Sequence, residues 1–212
     1  MKKNKFNNFK LIFWDFDGVI KDSVEVKSKA FVKLFAEYNS KIKNKIKIHH
    51  EKNGGMSRFD KIPIYLNYAN IEANKRNINL YCKKFSKLVF NEVILSKWVK
   101  GVLSYLKSNK YNQIFILISA TPAIELKAII NELKLNNNFQ EIYGAPSKKS
   151  FVIKKILKKY KINKSDALMV GDAQVDIDAA NYNKINFLLR RHKLNKHLKF
   201  NGNTIKNFSK YG

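Results

Sequence analysis

A chain of 212 residues that is 45% hydrophobic, with 15 Phe and 10 Tyr, can bury the core of one good-sized domain, or of one domain carrying a smaller insert. Only 3 Pro and 8 Gly exclude long disordered stretches. The formal net charge of +26 points first to nucleic acid or an anionic membrane. However, 38 of the 42 basic residues are Lys, spread along every segment beside abundant Asn and Ile. Lys, Asn and Ile share A/T-rich codons, and scattered Lys is the pattern of a solvated surface. Neither a membrane nor nucleic acid is therefore expected as a partner, and a general attraction for small anions remains.

In chain order, Met1–Lys10 is polar and basic, and no signal-peptide core follows it. Residues 11–14 (LIFW) form a short apolar run ending in Asp-Phe-Asp-Gly, which predicts a buried parallel strand and a tight loop. From 23 to 95 helical spacing dominates, as in Val26, Ala30, Phe31, Leu34 and Phe35, with a Gly54-Gly55 break before Met56, Ser57 and Arg58. The single Cys82 allows no internal disulfide and fits a cytoplasmic protein. The longest apolar run, 114–120, is too short to cross a bilayer. Within it, 114–118 predicts a second strand, ending in Ser119-Ala120-Thr121-Pro122. That tetrapeptide by itself reads as a helix start with Thr121 as N-cap and Pro122 in the first turn. Helical faces follow at 124–135 and 149–160, an Asn-rich turn at 136–138, and further strands at 167–170 and 186–189. Strands alternating with helices predict a doubly wound, Rossmann-like parallel sheet, with a helical insert after the first strand. Ligands of such sheets bind beyond the carboxyl ends of the strands, where the polar motifs sit.

The acidic residues are distributed unevenly. Of only 16, three (Asp15, Asp17, Asp22) fall in 15–22 and three (Asp172, Asp176, Asp178) in 172–178. Each motif alone is ordinary: Asp-x-Asp-Gly is often a turn, and Asp172 or Asp176 can cap a helix. In so basic a chain, and each directly after an apolar strand, they suggest a bound cation such as Mg2+, which takes a few carboxylates and leaves room for water and phosphate oxygens. A carboxylate can attack phosphorus, and a second carboxyl two residues on can protonate the leaving alcohol and then activate water. Lys148 or Lys149 would balance charge, and the Ser119 hydroxyl with neighbouring backbone N–H groups would hold phosphate oxygens.

Together these residues resemble the haloacid dehalogenase-like superfamily and, within it, the phosphatases. The resemblance rests on Asp15-Phe16-Asp17-Gly18-Val19-Ile20, on Ser119, on the Lys in Pro146-Ser147-Lys148-Lys149, and on Gly171-Asp172-Ala173-Gln174-Val175-Asp176. It implies Asp15 as nucleophile, Asp17 as general acid/base with its backbone carbonyl on the metal, and Gly18, Ser119 and Ala120 around the phosphoryl group. Asp15, Asp17, Asp172 and Asp176 would form the Mg2+ site. Lys149 is favoured over Lys148 by spacing from Gly144. The implied domains are a core (1–22 and 96–212) and a helical cap (23–95). Gly55-Met56-Ser57-Arg58 resembles a cap loop of the β-phosphoglucomutase branch, in which an Arg grips a non-reacting phosphate. The expected activity is hydrolysis of a small phosphate monoester, a sugar phosphate or a compound like phosphoglycolate. The alternatives are a phosphomutase and a non-enzymatic basic nucleic-acid-binding protein. Asp17 argues against dehalogenation, which has no leaving alcohol to protonate.

Overall fold

The computed structural model describes residues 6–211, so residues 1–5 and 212 of the expected core lie outside the described residues. Six strands form one parallel sheet: β1 (Leu11–Trp14), β2 (Ile114–Pro122), β3 (Glu141–Ala145), β4 (Ala167–Gly171), β5 (Asn186–Arg190) and β6 (Asn203–Ile205). Their spatial order is β3-β2-β1-β4-β5-β6. The fold is α/β and Rossmann-like. Because β1 is central and pairs with both β2 and β4, its carboxyl end is where the winding reverses.

Alternation along each strand divides the core into two layers. Ile12, Trp14, Phe115, Leu117, Leu168 and Val170 face one side, under α5 (Val102–Ser108) and α6 (Ala123–Glu132). Leu11, Phe13, Ile116, Ile118 and Met169 face the other, under α7 (Lys149–Lys159) and α8 (Gln174–Asn183). Strands covered on both faces must be apolar throughout, which is why β1 and β4 read as unbroken apolar runs. The edge strands β3 and β6 lack that constraint. Their partly exposed, polar-containing sequences, EIYGA and NTI, gave no strand signal.

Four helices occupy the segment between β1 and α5: α1 (Val24–Leu34), α2 (Ser40–Lys52), α3 (Arg58–Tyr68) and α4 (Lys75–Leu95). They pack on one another through Phe31, Phe35, Ile46, Ile62, Tyr65, Phe85 and Val89, which are buried. Asn39 and Asn74 start α2 and α4 by accepting from the N–H of Ile42 (3.1 Å) and Asn77 (2.9 Å). The two passages between this unit and the sheet run side by side. Asp22 N–H donates to Lys97 O (2.8 Å) and Val99 N–H to Ile20 O (3.0 Å). Lys21, buried between them, donates to Ile94 O (2.9 Å) and lies over the Trp98 ring. No helix of the described residues is long and apolar enough to cross a membrane.

Candidate active site

The chain leaves β1 at Asp15, whose N–H is held by Val170 O (3.0 Å) of the neighbouring strand. Its Oδ1 accepts from Phe16 N–H (2.8 Å) and from Lys149 Nζ (2.8 Å). This leaves Oδ2 without a hydrogen bond from the described residues. Lys149, the first residue of α7 and 6% exposed, bridges Asp15 to Asp176 Oδ1 (2.5 Å). The adjacent Lys148 is exposed, so the structure brings Lys149 rather than Lys148 into the cluster. Asp176 stands in the first turn of α8, and its Oδ2 accepts from the N–H groups of Asp172 and Ala173 (3.1 Å each). It therefore caps the helix while its other oxygen receives Lys149. Gly171 makes this possible, because a Cβ there would lie 2.3 Å from Asp176 Cβ.

Asp172, at the end of β4, faces Asp15 and receives His192 Nε2 on Oδ2 (2.8 Å). Asn195 Nδ2 ties its carbonyl to that of Arg190 (2.8 Å each). Asp15, Asp172 and Asp176 each present an oxygen within 4.8 Å of the others, an arrangement that suits a cation. The electrostatics agree. Burial, partly offset by Lys149, holds the Asp15 carboxyl well above the ordinary carboxylate range. Burial and then Asp176 push Asp172 up to about 8. Lys149 is held firmly charged, since Asp15 and Asp176 outweigh the effect of burial. One ammonium cannot balance three buried carboxyls in their ionised form, and a divalent ion would favour that form.

The Asp17 side chain turns away from this cluster. Its Oδ1 accepts from Ser23 Oγ (2.6 Å), and its Oδ2 pairs with Lys27 of α1 and with Thr121 Oγ1 (3.3 Å). Burial alone would raise its carboxyl, but Lys27 and these hydrogen bonds prevail and lower it. Lys27 also donates to Thr121 Oγ1 (2.9 Å). Ser119 is buried within β2, three residues before its end, and its Oγ accepts from Thr121 N–H (3.2 Å). Thr121 is not the N-cap of α6. β2 continues through it past a register shift, the N-cap is Pro122, and the Thr121 hydroxyl is thereby released to Lys27 and Asp17. Gly18, expected beside the phosphoryl group, donates its N–H to Lys21 O (2.7 Å). Only glycine fits there: φ is 75°, and a Cβ would lie 2.1 Å from Asp172 Oδ2. Asp22 and Asp178 stand apart, paired with Arg190 (2.7 Å) and Gln174 (2.8 Å).

A cavity opens above these groups. The sheet side contributes Asp15, Asp17, Ser119, Ala120, Thr121 and Asp172. The helical unit contributes Lys27, Arg58, Lys61 and His50, with Gly54-Gly55-Met56. Arg58 thus reaches the cavity wall, but its guanidinium is engaged. It grips Glu125 of α6 with two nitrogens (2.7 and 2.5 Å), donates to Ser86 Oγ (2.6 Å) and stacks over Phe85. Sequence reasoning missed Lys27, Lys61, Glu125 and His192. The first two were hidden among 38 lysines. His192 lies just past the end of β5, so the strand-end rule alone pointed towards it.

The sequence matches the family described as haloacid dehalogenase-like hydrolase over residues 12–189. No curated protein matches it significantly. Among solved structures, a predicted phosphoglycolate phosphatase from Haemophilus somnus superposes with a TM-score of 0.75 at 17% identity, covering 95% of this chain and 96% of that one. CbbY from Rhodobacter sphaeroides, in complex with xylulose 1,5-bisphosphate, gives 0.75 at 14% identity, covering 96% of each chain. A predicted phosphatase from Clostridium acetobutylicum gives 0.66 at 18%, covering 96% and 91%. The chain belongs to the haloacid dehalogenase-like hydrolase family and shares the fold of phosphatases.

Proposed function

We propose that this protein is a Mg2+-dependent phosphatase that hydrolyses a small phosphate monoester through an aspartyl-phosphate on Asp15. The observation that carries this reading is the pair of carboxylates at the end of β1. Asp15 lines the cavity with one oxygen fixed and the other free of hydrogen bonds among the described residues, while Asp17, two residues on, is held by three hydrogen-bonding side chains. The xylulose bisphosphate bound to CbbY and the name of the Haemophilus protein favour a sugar phosphate or a phosphoglycolate-like ester as substrate.

In the first half-reaction Asp15 Oδ2 attacks phosphorus, the bond from phosphorus to the ester oxygen breaks, and that oxygen takes a proton from Asp17. In the second, water gives its proton to the Asp17 carboxylate and attacks phosphorus. The acyl-phosphate bond breaks, releasing inorganic phosphate and the Asp15 carboxylate. The proton Asp17 gains serves the next leaving group, and an incoming phosphoryl dianion raises its affinity for that proton. Lys149 keeps Asp15 oriented and compensates charge; Ser119 and the adjacent Ala120 backbone receive phosphoryl oxygens. Asp15, Asp172, Asp176 and the Asp17 carbonyl would hold the ion, which supplies charge neutralisation between carboxylate and phosphate. The helices of 23–95 act as a cap that excludes water.

The test is phosphate release from a panel of phosphate esters, with Mg2+ and with EDTA, beside Asp15→Asn. Metal-dependent release lost in the variant is the expected result. Interconversion of isomers without release would instead identify a phosphomutase, and salt-sensitive nucleic-acid binding with no turnover would identify a binding protein.

A further inference from the structure

The loop that follows β5 closes on Asp172. Asn195 Oδ1 accepts from the His192 N–H (3.0 Å), and its Nδ2 donates to Arg190 O and to Asp172 O (2.8 Å each). The Leu194 N–H donates to His192 Nδ1 (3.2 Å). A ring nitrogen that accepts from an N–H carries no proton of its own, so the hydrogen-bond network assigns the imidazole proton to Nε2. His192 Nε2 is therefore the donor in its 2.8 Å contact with Asp172 Oδ2. Gly18 packs against the same oxygen from another side, where a Cβ would lie 2.1 Å from it.

These contacts leave the carboxylate cluster with few free oxygens. Asp176 has both engaged, Oδ1 by Lys149 and Oδ2 by the N–H groups of Asp172 and Ala173. Asp15 Oδ1 takes Phe16 N–H and Lys149. Among the described residues nothing donates to Asp15 Oδ2 or to Asp172 Oδ1. With Oδ2 held by the ring and crowded by Gly18, Asp172 can turn one oxygen towards an ion, not two. Mg2+ needs no more: it forms a small octahedron with oxygens at about 2.0–2.1 Å, keeps several waters and takes one or two carboxylates. Ca2+ gathers roughly 6–8 oxygens and draws on carboxylates that bind through both.

We infer that His192 is a positioning residue that holds Asp172 to single-oxygen coordination and thereby sets the preference of the site for Mg2+ over Ca2+. This rests on the metal-dependent phosphatase reading and adds to it a determinant of which cation the site accepts. His192 is not itself a ligand. It acts through Asp172, as hydrogen bonds behind a metal ligand fix that ligand's orientation.

The experiment uses Mn2+ as the probe. Free Mn2+ is followed by electron paramagnetic resonance while Mg2+ or Ca2+ displaces it from the full chain without substrate, in the wild type, His192→Phe, His192→Gln and Asp172→Asn. The wild type should release Mn2+ to Mg2+ at lower concentration than to Ca2+. His192→Phe, which lacks the donor, should weaken Mg2+ binding roughly 10- to 100-fold, the scale for losing a hydrogen bond behind a metal ligand, and weaken Ca2+ binding less, so that the ratio of affinities falls. His192→Gln, whose amide N–H can take the place of Nε2, should keep most of the ratio. If His192→Phe does not fold, His192→Ala is read in its place. A wild type that prefers Ca2+, a ratio unmoved in His192→Phe, or a ratio lost equally in His192→Gln overturns the inference. Absence of Mn2+ binding in the wild type, or binding undiminished in Asp172→Asn, overturns the metal site and the inference with it. Binding that depends on Asp172 with an unmoved ratio overturns the inference alone.

Discussion

The two walls of the cavity carry opposite charge. On the sheet side, Asp15, Asp172 and Asp176 surround a single ammonium, Lys149. On the helical side, Lys27, Arg58 and Lys61 line the cavity, and Glu125 reaches across from α6 to meet Arg58. The sheet wall lacks a cation and the helical wall lacks an anion. A metal ion together with a phosphorylated substrate would satisfy both at once. The walls also differ in construction. Carboxylates on the sheet side are fixed by strand ends and a helix cap, whereas the cations opposite depend on how four helices dock.

The strongest way to break this comparison is at Asp15. Asp15→Asn should lower phosphate release by roughly 10⁴-fold or more, the scale of losing a covalent nucleophile, and acid-quenched protein should carry no phosphoaspartate. Turnover persisting without deamidation would remove Asp15 from the chemistry. Lys149→Met should come next. It strands Asp15 and Asp176, so it should cost about 3–5 kcal/mol in urea unfolding of the metal-free protein, as for a broken buried pair, with activity falling in parallel. A stability unchanged within error would mean that the carboxylates are already neutralised by other means.

Smaller effects probe the contact between the walls. Arg58→Ala and Glu125→Ala should each destabilise the protein, and the double variant should show a coupling of about 1–3 kcal/mol, as for a contacting charged pair. If Arg58→Ala changes the substrate profile beyond the change made by Glu125→Ala, Arg58 touches substrate as well. The smallest expected signal is the pH dependence of the metal-free protein. A carboxyl raised to about 8, as Asp172 is, binds its proton more tightly when folded, so its contribution is lost as pH rises from the ordinary carboxylate range towards 8. Asp17, lowered, contributes in the opposite sense, but that contribution is already complete above its unfolded value. The melting temperature without metal, taken relative to Asp172→Asn so that the opposing effects of His50, His192 and Lys61 are shared, should therefore fall between pH 5 and 8, and saturating Mg2+ should flatten that slope. Equal slopes in both conditions would argue that Asp172 does not hold the ion.

Much of the sheet wall was legible because its signals are local. An apolar strand ending in an acid at Asp15 or Asp172 needs no partner to be recognised, and the central strands β1, β2, β4 and β5 were all marked by buried runs. The edge strands were not, since one open side permits polar residues such as Glu141 and Asn203. Among site residues, Lys27 meets Thr121 and Asp17 from a different element, and Arg58 meets Glu125 across 67 positions. Nothing in the composition marks such pairs.

The amino-acid sequence alone determined the order of the central strands and the helices between them, the two acidic clusters at strand ends, and through them the family chemistry. Those features depend on periodicity and on residues a few positions apart. Only the tertiary structure decided which lysine joins Asp15, which hydroxyls hold Asp17, and that Arg58 is occupied by Glu125. The outcome at each position depends on long-range docking, because a charge is free or neutralised only according to what the fold places within a few ångströms of it.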